Sequence, residues 1–513
     1  SRHHEASALS GKFWNDKLMA WAMQDPAFKT QLFRFVDVFP SLRNKEAVHA
    51  HVIDYLTQPG VKLPPGMGLG LAAGGLSKGM FVKTVTGRIE QMARSFIAGT
   101  DAHDALPKLR DRWKRRMAFS VDLLGEACVA DAEADVYQQR YIDLIRALPT
   151  EVDTWPADDL LERDHLGHIP RVNVSVKVSA LTAKFDPADF DGSLDRCRQR
   201  LMPVLEAAAE RGVFVNFDME SFETKDLTIA LFKQCCEALD FHAGIALQVY
   251  LRSGDADAAD LIAWTQRTGR QVTVRLVKGA YWDHEVIHAR QQGWPVPVWT
   301  SKSATDACFE RMGRALLGST PRTSGAGGVK LASGSHNLRS IAAILAELER
   351  LDLPTSAIEL QMLYGMADAL KAAAIERGLR VREYVPVGEL VPGMAYLVRR
   401  LLENTSNESW LLASSKKNID VDALLAEPDP ADPGDAWQPE FANEPPRDFA
   451  DADQRNTFAS AIDNAQLADV PADITESEVD TIAKRAADAS KSWRDRPVAE
   501  RADILRKFAA AMR

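Results

Sequence analysis

Two adjacent arginines, Arg399 and Arg400, lie in a stretch whose residue spacing predicts a helix. Tyr396 precedes them by about one helical turn and Glu403 follows by one turn, so the four side chains share one helix face. Because a guanidinium group binds a carboxylate through paired hydrogen bonds, this face is a candidate clamp for a small acid. A solvated charged face would have the same pattern, and the residues alone leave both interpretations open.

A second set of polar residues falls within or directly after short β-branched runs, namely Lys177, Asp218, Gln248, Arg275 and Lys278. Barrel enzymes keep their catalytic groups at the carboxyl ends of the strands, and this placement fits that rule. Lys177 and Asp218 could instead form a structural ion pair. A buried strand lysine could also serve as the Schiff-base nucleophile of an aldolase.

Eight short apolar runs carry these residues, and each is followed by a stretch of helical pattern. Strands that alternate with helices predict a parallel sheet, and eight units fit a closed (βα)8 barrel of the TIM type, an α/β fold. Apolar and polar residues alternate within the runs, as expected when one set points into a barrel. The predicted strands are Ala118–Glu126, Arg171–Ala180, Phe214–Glu220, Gly244–Leu251, Val272–Ala280, Val329–His336, Ile358–Gly365 and Val381–Gly388.

The barrel is expected at residues 116–415, with three other regions around it. Residues 1–115 have helical periodicity and predict an α-helical arm that precedes the barrel. Residues 416–475 are rich in proline and aspartate and predict an extended linker. Residues 476–513 return to helical periodicity.

Composition excludes several classes of protein. The chain has 62 Lys plus Arg against 72 Asp plus Glu, and a formal net charge of -10 argues against a dedicated nucleic-acid binder. Five scattered cysteines do not suggest a disulfide framework and favour a reducing compartment. No long apolar run and no leader pattern is evident, so we expect a cytoplasmic protein.

One motif points to different chemistry. The stretch His284-Glu285-Val286-Ile287-His288 matches the H-E-x-x-H pattern of zinc proteases, which places two imidazoles on one helix face. Because it directly follows a predicted barrel strand, its helix should lie on the outer ring, away from an active-site cleft. We therefore expect no metal and keep a zinc hydrolase as an alternative.

Taken in order, several stretches resemble the proline dehydrogenase domain of bifunctional proline utilisation A flavoenzymes. The resemblance runs through the whole predicted barrel. It implies oxidation of L-proline to Δ1-pyrroline-5-carboxylate by hydride transfer from C5 to N5 of FAD. The stretches are Asp122–Ala127, Val176–Leu181, Asn216–Glu220, Gln248–Arg252, Arg275–Asp283, Ser335–Asn337, Glu359–Met366 and Tyr396–Asn404.

The same resemblance implies a set of FAD contacts at the mouth of the barrel. Arg275 would lie near the flavin N5, and Gln248 would contact the ring. The protein would supply placement and electrostatics, while the flavin carries out the redox chemistry. The other implied cofactor-binding residues are Asp218, Val277, Lys278, Gly279, Ala280, Trp282, Thr300, Lys302, Thr305, Ser335, His336, Asn337, Gln361, Leu363 and Glu403.

For the substrate, the resemblance implies that Arg399 and Arg400 pair with the proline carboxylate, assisted by Lys177. Glu126 would pair with the first arginine and gate the pocket, and Asp218 would organise the site through Arg400. Each has a plainer alternative, for example Glu126 beside any neighbouring cation. The residues that would enclose the pyrrolidine ring are Tyr281, Leu363, Tyr384 and Tyr396.

Further expectations concern partners and specificity. Residues 476–513 resemble the opening helices of an aldehyde dehydrogenase domain, so a longer natural chain is expected and this one should lack pyrroline-5-carboxylate dehydrogenase activity. A quinone would accept the electrons, which implies peripheral contact with the inner membrane face, and homo-oligomers are an open option. Bulky Tyr384 favours unsubstituted proline and its small carboxylate analogues over 4-hydroxyproline. A carboxylate-binding barrel without cofactor or turnover is the non-catalytic alternative.

Overall fold

The structure, a computed structural model, describes residues 25–42, 44–62, 96–125, 128–389, 422, 425–437, 443–466 and 474–512. The described residues form two compact units, one ending at Arg455 and the other beginning at Asn456. All of the predicted site residues that the structure describes belong to the first unit.

Eight of the ten strands in the described residues are parallel and close into a barrel, which confirms the predicted α/β fold. The strands are β1 (Ala118–Leu123), β2 (Arg163–Asp164), β3 (Gly167–His168), β4 (Asn173–Val176), β5 (Phe214–Phe217), β6 (Ala243–Gln248), β7 (Gln271–Val277), β8 (Gly328–Gly334), β9 (Ile358–Leu363) and β10 (Val381–Val387). The barrel order is β1-β4-β5-β6-β7-β8-β9-β10, and β10 pairs with β1 to close it. Each predicted strand is confirmed but ends earlier than expected, because the polar residues that follow it enter the loops.

Helices lie between the barrel strands along the chain, and further helices precede and follow the barrel in the sequence. In the described part of the chain they are α1 (Pro26–Val38), α2 (Lys45–Leu56), α3 (Ala102–Lys114), α4 (Asp131–Val152), α5 (Asp159–Glu162), α6 (Phe190–Arg211), α7 (Lys225–Ala238), α8 (Gly254–Thr268), α9 (Trp282–Gln292), α10 (Lys302–Gly318), α11 (Leu338–Arg350), α12 (Asp368–Glu376), α13 (Ala452–Asp463), α14 (Glu476–Asp495) and α15 (Val498–Met512). Short 3₁₀ turns occur at Phe39–Ser41, Val178–Ala180, Pro187–Asp189, Phe222–Thr224 and Thr355–Ala357.

Local sequence signals explain where the helices begin. Asp25 caps α1 by accepting a hydrogen bond from the Phe28 amide at 2.9 Å, and Pro26 occupies the first helical position. Ser301 caps α10 in the same way through the Ala304 amide. The first start places a helix within the predicted helical arm, and the second places α10 directly after the loop that follows α9.

The apolar core lies between the strands and the surrounding helices. Phe217 on β5 packs edge-to-face on Phe232 of α7 with ring centres 5.2 Å apart, and Phe232 contacts Trp264 of α8. All three side chains are almost fully buried. Because successive strand residues point to opposite faces, the outward positions take the apolar residues and the inward positions are left for other groups.

The inward positions of several strands are polar or charged, and hydrogen bonds across the barrel join them. At the amino-terminal end, Glu359 on β9 accepts bonds from Arg380 and from Arg382 on β10, at 2.9–3.1 Å. Burial alone would raise the pKa of Glu359, but the two arginines outweigh it and lower the pKa from 4.5 to about 2. This end of the barrel therefore depends on a buried carboxylate that stays ionised.

A small antiparallel hairpin, formed by β2 and β3, is absent from the sequence prediction. Asp164 in this hairpin binds Lys330 of β8 at 2.6 Å, and the Arg163 carbonyl accepts a bond from Arg380 at 2.7 Å. The hairpin is therefore tied to the amino-terminal end of the barrel, opposite the predicted site. Its strands are two residues long, too short for a periodic pattern.

The proline- and aspartate-rich segment of the first unit has no helix or strand at residues 425–437 and 443–451. Asp432 accepts hydrogen bonds from the Thr300 amide and hydroxyl and from the Ser301 amide, at 2.6–3.0 Å. Farther along, Arg290 binds Asp435 through two hydrogen bonds. The segment is fastened to α9 and to the loop before α10. The prediction of an extended linker over residues 416–475 is wrong at α13, because Ala452–Asp463 is helical.

The second unit contains α14 and α15, which confirms the helical periodicity of residues 476–513. Thr475 and Glu478 form a reciprocal capping box at the start of α14. No helix in the described ranges has the length and apolar character to cross a membrane. All five cysteines of the chain are buried free thiols in the first unit.

A first prediction concerns Glu359. Replacing it with glutamine (E359Q) leaves two buried arginines without a counter-charge and should lower the unfolding free energy by about 3 kcal/mol near pH 7. Because the folded-state pKa lies below the unfolded one, this stabilisation is complete above pH 4.5 and is lost as pH falls towards 2. Urea titrations at several pH values should therefore show a smaller gap between wild type and E359Q in acid. An equal gap at about pH 3.5 and pH 7 would contradict the assigned ion pair.

Candidate active site

The carboxyl ends of the barrel strands bring together the polar residues that the sequence singled out. Lys177 follows β4 directly, Asp218 follows β5, and Gln248 is the last residue of β6. Arg275 lies on β7 two residues before its end. Parallel strands all present their carboxyl ends at one mouth of the barrel, so these residues converge there.

Arg275 occupies the centre of this cluster and is only 5% exposed. Its Nε donates to Gln361 Oε1 at 2.5 Å, its Nη1 to Asp218 Oδ1 at 2.6 Å, and its Nη2 to Ser175 Oγ at 2.9 Å. A weaker contact reaches Ser120 Oγ at 3.3 Å. One planar guanidinium thus joins strands β7, β9, β5, β4 and β1, which a point charge on a flexible stem could not do.

Asp218 accepts hydrogen bonds on both carboxylate oxygens. Arg275 and Asn216 bind Oδ1, at 2.6 and 3.1 Å, and the Tyr384 hydroxyl donates to Oδ2 at 2.7 Å. The Arg275 guanidinium also lies 5.1 Å from the centre of the Tyr384 ring. Asp218 is therefore bound to Arg275 and Tyr384. Its predicted partner Arg400 lies outside the described residues, and its organiser role stays a prediction.

Lys177 has a nearer partner than the predicted Asp218. Its ammonium forms an ion pair with Asp122 on β1, which is fully buried, and lies 4.0 Å from Asp218 and 3.4 Å from the Tyr384 hydroxyl. Burial raises the pKa of Asp122, against the opposing effect of Lys177. Asp122 was not among the predicted site residues, although it opens the first family-like stretch and alternates with inward-facing Ser120.

The charge state of Lys177 argues against the aldolase alternative. Burial by itself would lower the pKa of Lys177, but the carboxylates of Asp122 and Asp218 outweigh it and raise the pKa above its ordinary value. A Schiff-base nucleophile needs the opposite shift, because only the neutral amine attacks a carbonyl. Lys177 is held as a cation at the barrel mouth.

Leu363, the last residue of β9, is held at both of its backbone groups. Its amide donates to His336 Nε2 at 3.1 Å, and its carbonyl accepts a bond from Lys371 at 2.8 Å. The accepted hydrogen bond leaves Nε2 as the unprotonated nitrogen of His336. Tyr384 is the register partner of Leu363 on β10, so two of the predicted ring-enclosing residues stand side by side.

Two features at the barrel mouth could serve a bound molecule, namely a hydrogen-bond acceptor without a partner in the described ranges and a backbone segment without a side chain. Gln248 is 4% exposed and donates to the Glu220 carbonyl at 2.9 Å, while its buried Oε1 has no hydrogen-bond partner among the described residues. Gly279 has a φ of +120°, and a Cβ there would stand 2.5 Å from the Tyr250 ring. The backbone after β7 can therefore follow this path only with glycine.

The segment after β7 and the start of α10 carry two cations around one acid. Lys278 forms an ion pair with Asp306, and Lys302 binds the other oxygen of that carboxylate at 2.6 Å. Burial lowers the pKa of Lys278 against the opposing effect of Asp306. Thr305 donates to the Ser301 carbonyl at 3.3 Å. The cluster holds two lysines against a single aspartate.

The remaining predicted cofactor residues surround this cluster. Asn337 caps α11 by accepting bonds from the Arg339 and Ser340 amides, which confirms the capping alternative, and its own amide donates to Ser335 Oγ at 3.1 Å. Trp282 is 40% exposed and donates to the Trp299 carbonyl at 2.8 Å. Half-buried Tyr281 precedes it, and Val277 and Ala280 lie at the end of β7 and in its loop.

Five predicted site residues lie outside the described residues, and so does the predicted arginine face. The clamp and the gate therefore remain predictions. The residues are Glu126, Tyr396, Arg399, Arg400 and Glu403.

The H-E-x-x-H motif lies on α9, on the outside of the barrel as predicted. The rings of His284 and His288 stack with centres 5.8 Å apart, and Glu285 accepts a hydrogen bond from the Phe222 amide at 2.8 Å. Within the described ranges, no group of three or more His, Cys, Asp or Glu side chains is arranged to hold a metal ion. The glutamate is used to anchor a loop.

Comparison with known families assigns the chain. The proline dehydrogenase family model matches residues 105–412, which is more than half of the sequence. The chain belongs to the proline dehydrogenase family. In this family member, a proline utilization A N-terminal domain model matches residues 1–96, and an aldehyde dehydrogenase family model matches residues 449–513.

Individual relatives of this proline dehydrogenase family member agree. It is 28% identical over 348 residues to the bifunctional protein PutA of Escherichia coli (strain K12), covering 66% of this chain and 25% of that protein. It is 24% identical over 320 residues to proline dehydrogenase 1 of Bacillus subtilis (strain 168), covering 62% and 89%. The chain thus spans about a quarter of the length of the bifunctional relatives it matches.

A solved structure resembles most of this chain. Proline utilization A from Bdellovibrio bacteriovorus, inactivated by N-propargylglycine, superposes with a TM-score of 0.79 at 39% identity. The match covers 90% of this chain and 46% of that one.

A second prediction tests the central guanidinium. Replacing Arg275 with methionine (R275M) leaves Asp218 and Gln361 without their buried donors and should lower the unfolding free energy by about 3–5 kcal/mol in urea. R275K should fall between R275M and wild type, because an ammonium cannot span three partners. The control R311M removes a half-exposed pair with Asp255 and should cost less than about 1 kcal/mol. Equal losses in R275M and R311M would contradict the assigned network.

Proposed function

We propose that this proline dehydrogenase family member oxidises L-proline to Δ1-pyrroline-5-carboxylate, with FAD at the mouth of the barrel. The observation that carries the proposal is the family match together with the cationic network at the carboxyl end of the strands. The Lys177 ammonium is paired with Asp122, and the Arg275 guanidinium is bound to Asp218 and Gln361. Two such cations are suited to binding an anionic amino acid beside a redox cofactor.

The described residues fit a flavin. The orphaned Gln248 oxygen is an acceptor for a ring N–H, and Gly279 gives close backbone approach where a side chain would collide. Lys278 and Lys302 both pair with Asp306, and two ammonium groups on one carboxylate favour a phosphate-bearing cofactor. Among flavins we propose FAD, because its pyrophosphate would match the two lysines and the start of α10.

When bound, the flavin supplies the hydride acceptor for the reaction. The tasks of the chain are to bind, orient and desolvate the substrate. Lys177, which carries a positive charge, would attract the proline carboxylate, together with the predicted clamp of Arg399 and Arg400. Leu363 and Tyr384 would enclose the ring, fix its C5 edge in a near-attack geometry and exclude water.

The ring nitrogen of proline should be unprotonated when the hydride leaves C5. Its lone pair then stabilises the positive charge that develops on the adjacent carbon. Among the described residues at the mouth, Asp218 has both oxygens occupied by Arg275, Asn216 and Tyr384. It therefore keeps the guanidinium and the tyrosine in place.

The wider biology extends the same proposal. In a longer natural chain, an aldehyde dehydrogenase domain would consume the product, and a quinone at the inner membrane face would reoxidise the flavin of a cytoplasmic protein. The proposal also includes the formation of homo-oligomers. It includes 4-hydroxyproline as a poor alternative substrate. The bulk of Tyr384 is what disfavours the hydroxylated ring.

The absorption spectrum of the purified chain, before and after anaerobic L-proline, tests the proposal. We expect flavin absorption at about 450 nm whose intensity falls when L-proline is added. Bands that persist would discard proline as the substrate. A colourless chain that takes up no added FAD would overturn the proposal and leave a carboxylate-binding barrel.

A third prediction concerns Lys177. The substitution K177M removes the cation facing the substrate carboxylate and should lower kcat/KM for L-proline by about 10- to 100-fold. The conservative K177R should recover part of the loss, because it restores the charge. As a matched control, K225M removes another buried lysine that binds Asp257 at 2.6 Å, and it should stay within about threefold of wild type. Equal losses in K177M and K225M would indicate general destabilisation only.

A further inference from the structure

Lys371, near the start of α12, is a fully buried lysine with no role in the proposed reaction. Its Nζ donates to the Leu363 carbonyl at 2.8 Å and to Glu383 Oε1 at 2.5 Å. Both Lys371 and Glu383 are 0% exposed. A buried ion pair of this kind is often less stabilising than two apolar residues of the same volume, so its contribution to stability does not account for it.

Lys371 binds the turn that follows β9, whose backbone conformation is unfavourable by itself. Between β9 and α12 the chain passes through Gly365, with a φ of +76°, and Ala367, with a φ of +56°. Alanine is disfavoured in this left-handed region, and such conformations persist where surrounding contacts impose them. Lys371 binds the first carbonyl of this turn, and His336 Nε2 binds the amide on the other side of Leu363.

The acid in the pair belongs to β10, the strand that neighbours β9 in the same wall of the barrel. Glu383 precedes Tyr384 on β10, and strand alternation sends Glu383 outward to the helix layer while Tyr384 points inward to Asp218. Tyr384 is the register partner of Leu363, and its carbonyl accepts a bond from the Tyr364 amide at 3.1 Å. From outside the barrel, Lys371 therefore binds two neighbouring strands, β9 at its last residue and β10 at Glu383. The inward side chains of Leu363 and Tyr384 on these strands are predicted to enclose the ring.

We propose that Lys371 is a positioning residue that fixes the wall of the substrate pocket formed by Leu363 and Tyr384. This proposal rests on the proposed function, because only then do those two side chains lie against a five-membered ring. By fixing the Leu363 peptide, Lys371 keeps this wall in the position that admits unsubstituted proline. It thereby excludes a ring that carries a hydroxyl at C4.

The test replaces both buried charges at once. In K371M/E383L two apolar residues of similar size stand in for the pair, so folding should survive, but the Leu363 carbonyl loses its donor. In a second variant, K371Q, Glu383 keeps the neighbouring Arg112, whose Nε lies 3.5 Å away. The glutamine side chain is too short to reach both the Leu363 carbonyl and Glu383. The control K225M/D257L makes the matching change at another buried lysine, whose partners Asp226, Ser253 and Asp257 are not predicted site residues.

Two measurements are made on the flavin-loaded variants. The ratio of kcat/KM for L-proline to that for trans-4-hydroxy-L-proline should fall about tenfold in K371M/E383L and in K371Q. It should stay within about twofold of wild type in the control. Hydrogen–deuterium exchange of the amides from Leu363 to Ala367 should be faster in the two Lys371 variants and unchanged in the control.

An unchanged selectivity ratio, or unchanged exchange in this turn, overturns the proposal. A fall of equal size in the control also overturns it, because general loosening would then explain the effect. Wild-type protein that does not oxidise proline at all is a failure of the proposed function. In that case the exchange measurement still decides whether Lys371 holds the Leu363 peptide.

Discussion

The interior of the barrel depends on one guanidinium group. Arg275 sits where an apolar core would otherwise lie, and it donates to groups from four other strands. A buried charge is tolerated only when each donor finds an acceptor, and this requirement dictates the polar residues around it. Gln361, Asp218 and Ser175 are therefore both the scaffold of the barrel mouth and the lining of its site.

Two ion pairs extend this arrangement outward. Asp122 keeps Lys177 charged at the mouth, and Glu383 keeps Lys371 behind the wall formed by Leu363. The first pair presents a cation to the pocket, whereas the second is hidden from it. The apolar residues between strands and helices make the barrel stable, but the ionic residues decide what its mouth can recognise.

Much of this arrangement could be predicted from the sequence. Strand alternation and the eightfold repeat of strand and helix sufficed for the fold, and strand-end polarity found Lys177, Asp218 and Arg275. Asp122 was missed because a single aspartate in an apolar run does not reveal which distant cation faces it. Lys371 was missed because a lysine at helical spacing usually faces solvent, and only the packing of α12 on β10 buries it. The β2–β3 hairpin carries too few residues for a periodic pattern.

Closure of the barrel has a consequence for the order in which the protein forms. Strands β1 and β10 pair in register, Ala118 with Arg382, although more than 260 residues separate them. A contact of such long range forms late, because a long loop must be ordered before the pairing stabilises it. During synthesis the amino-terminal strands emerge first, yet Arg275, Asp218 and Gln361 cannot meet until β9 is made, and Tyr384 joins them last. The polar cluster at the barrel mouth is thus completed last, and a chain still being synthesised exposes polar strand ends that have not yet met their partners.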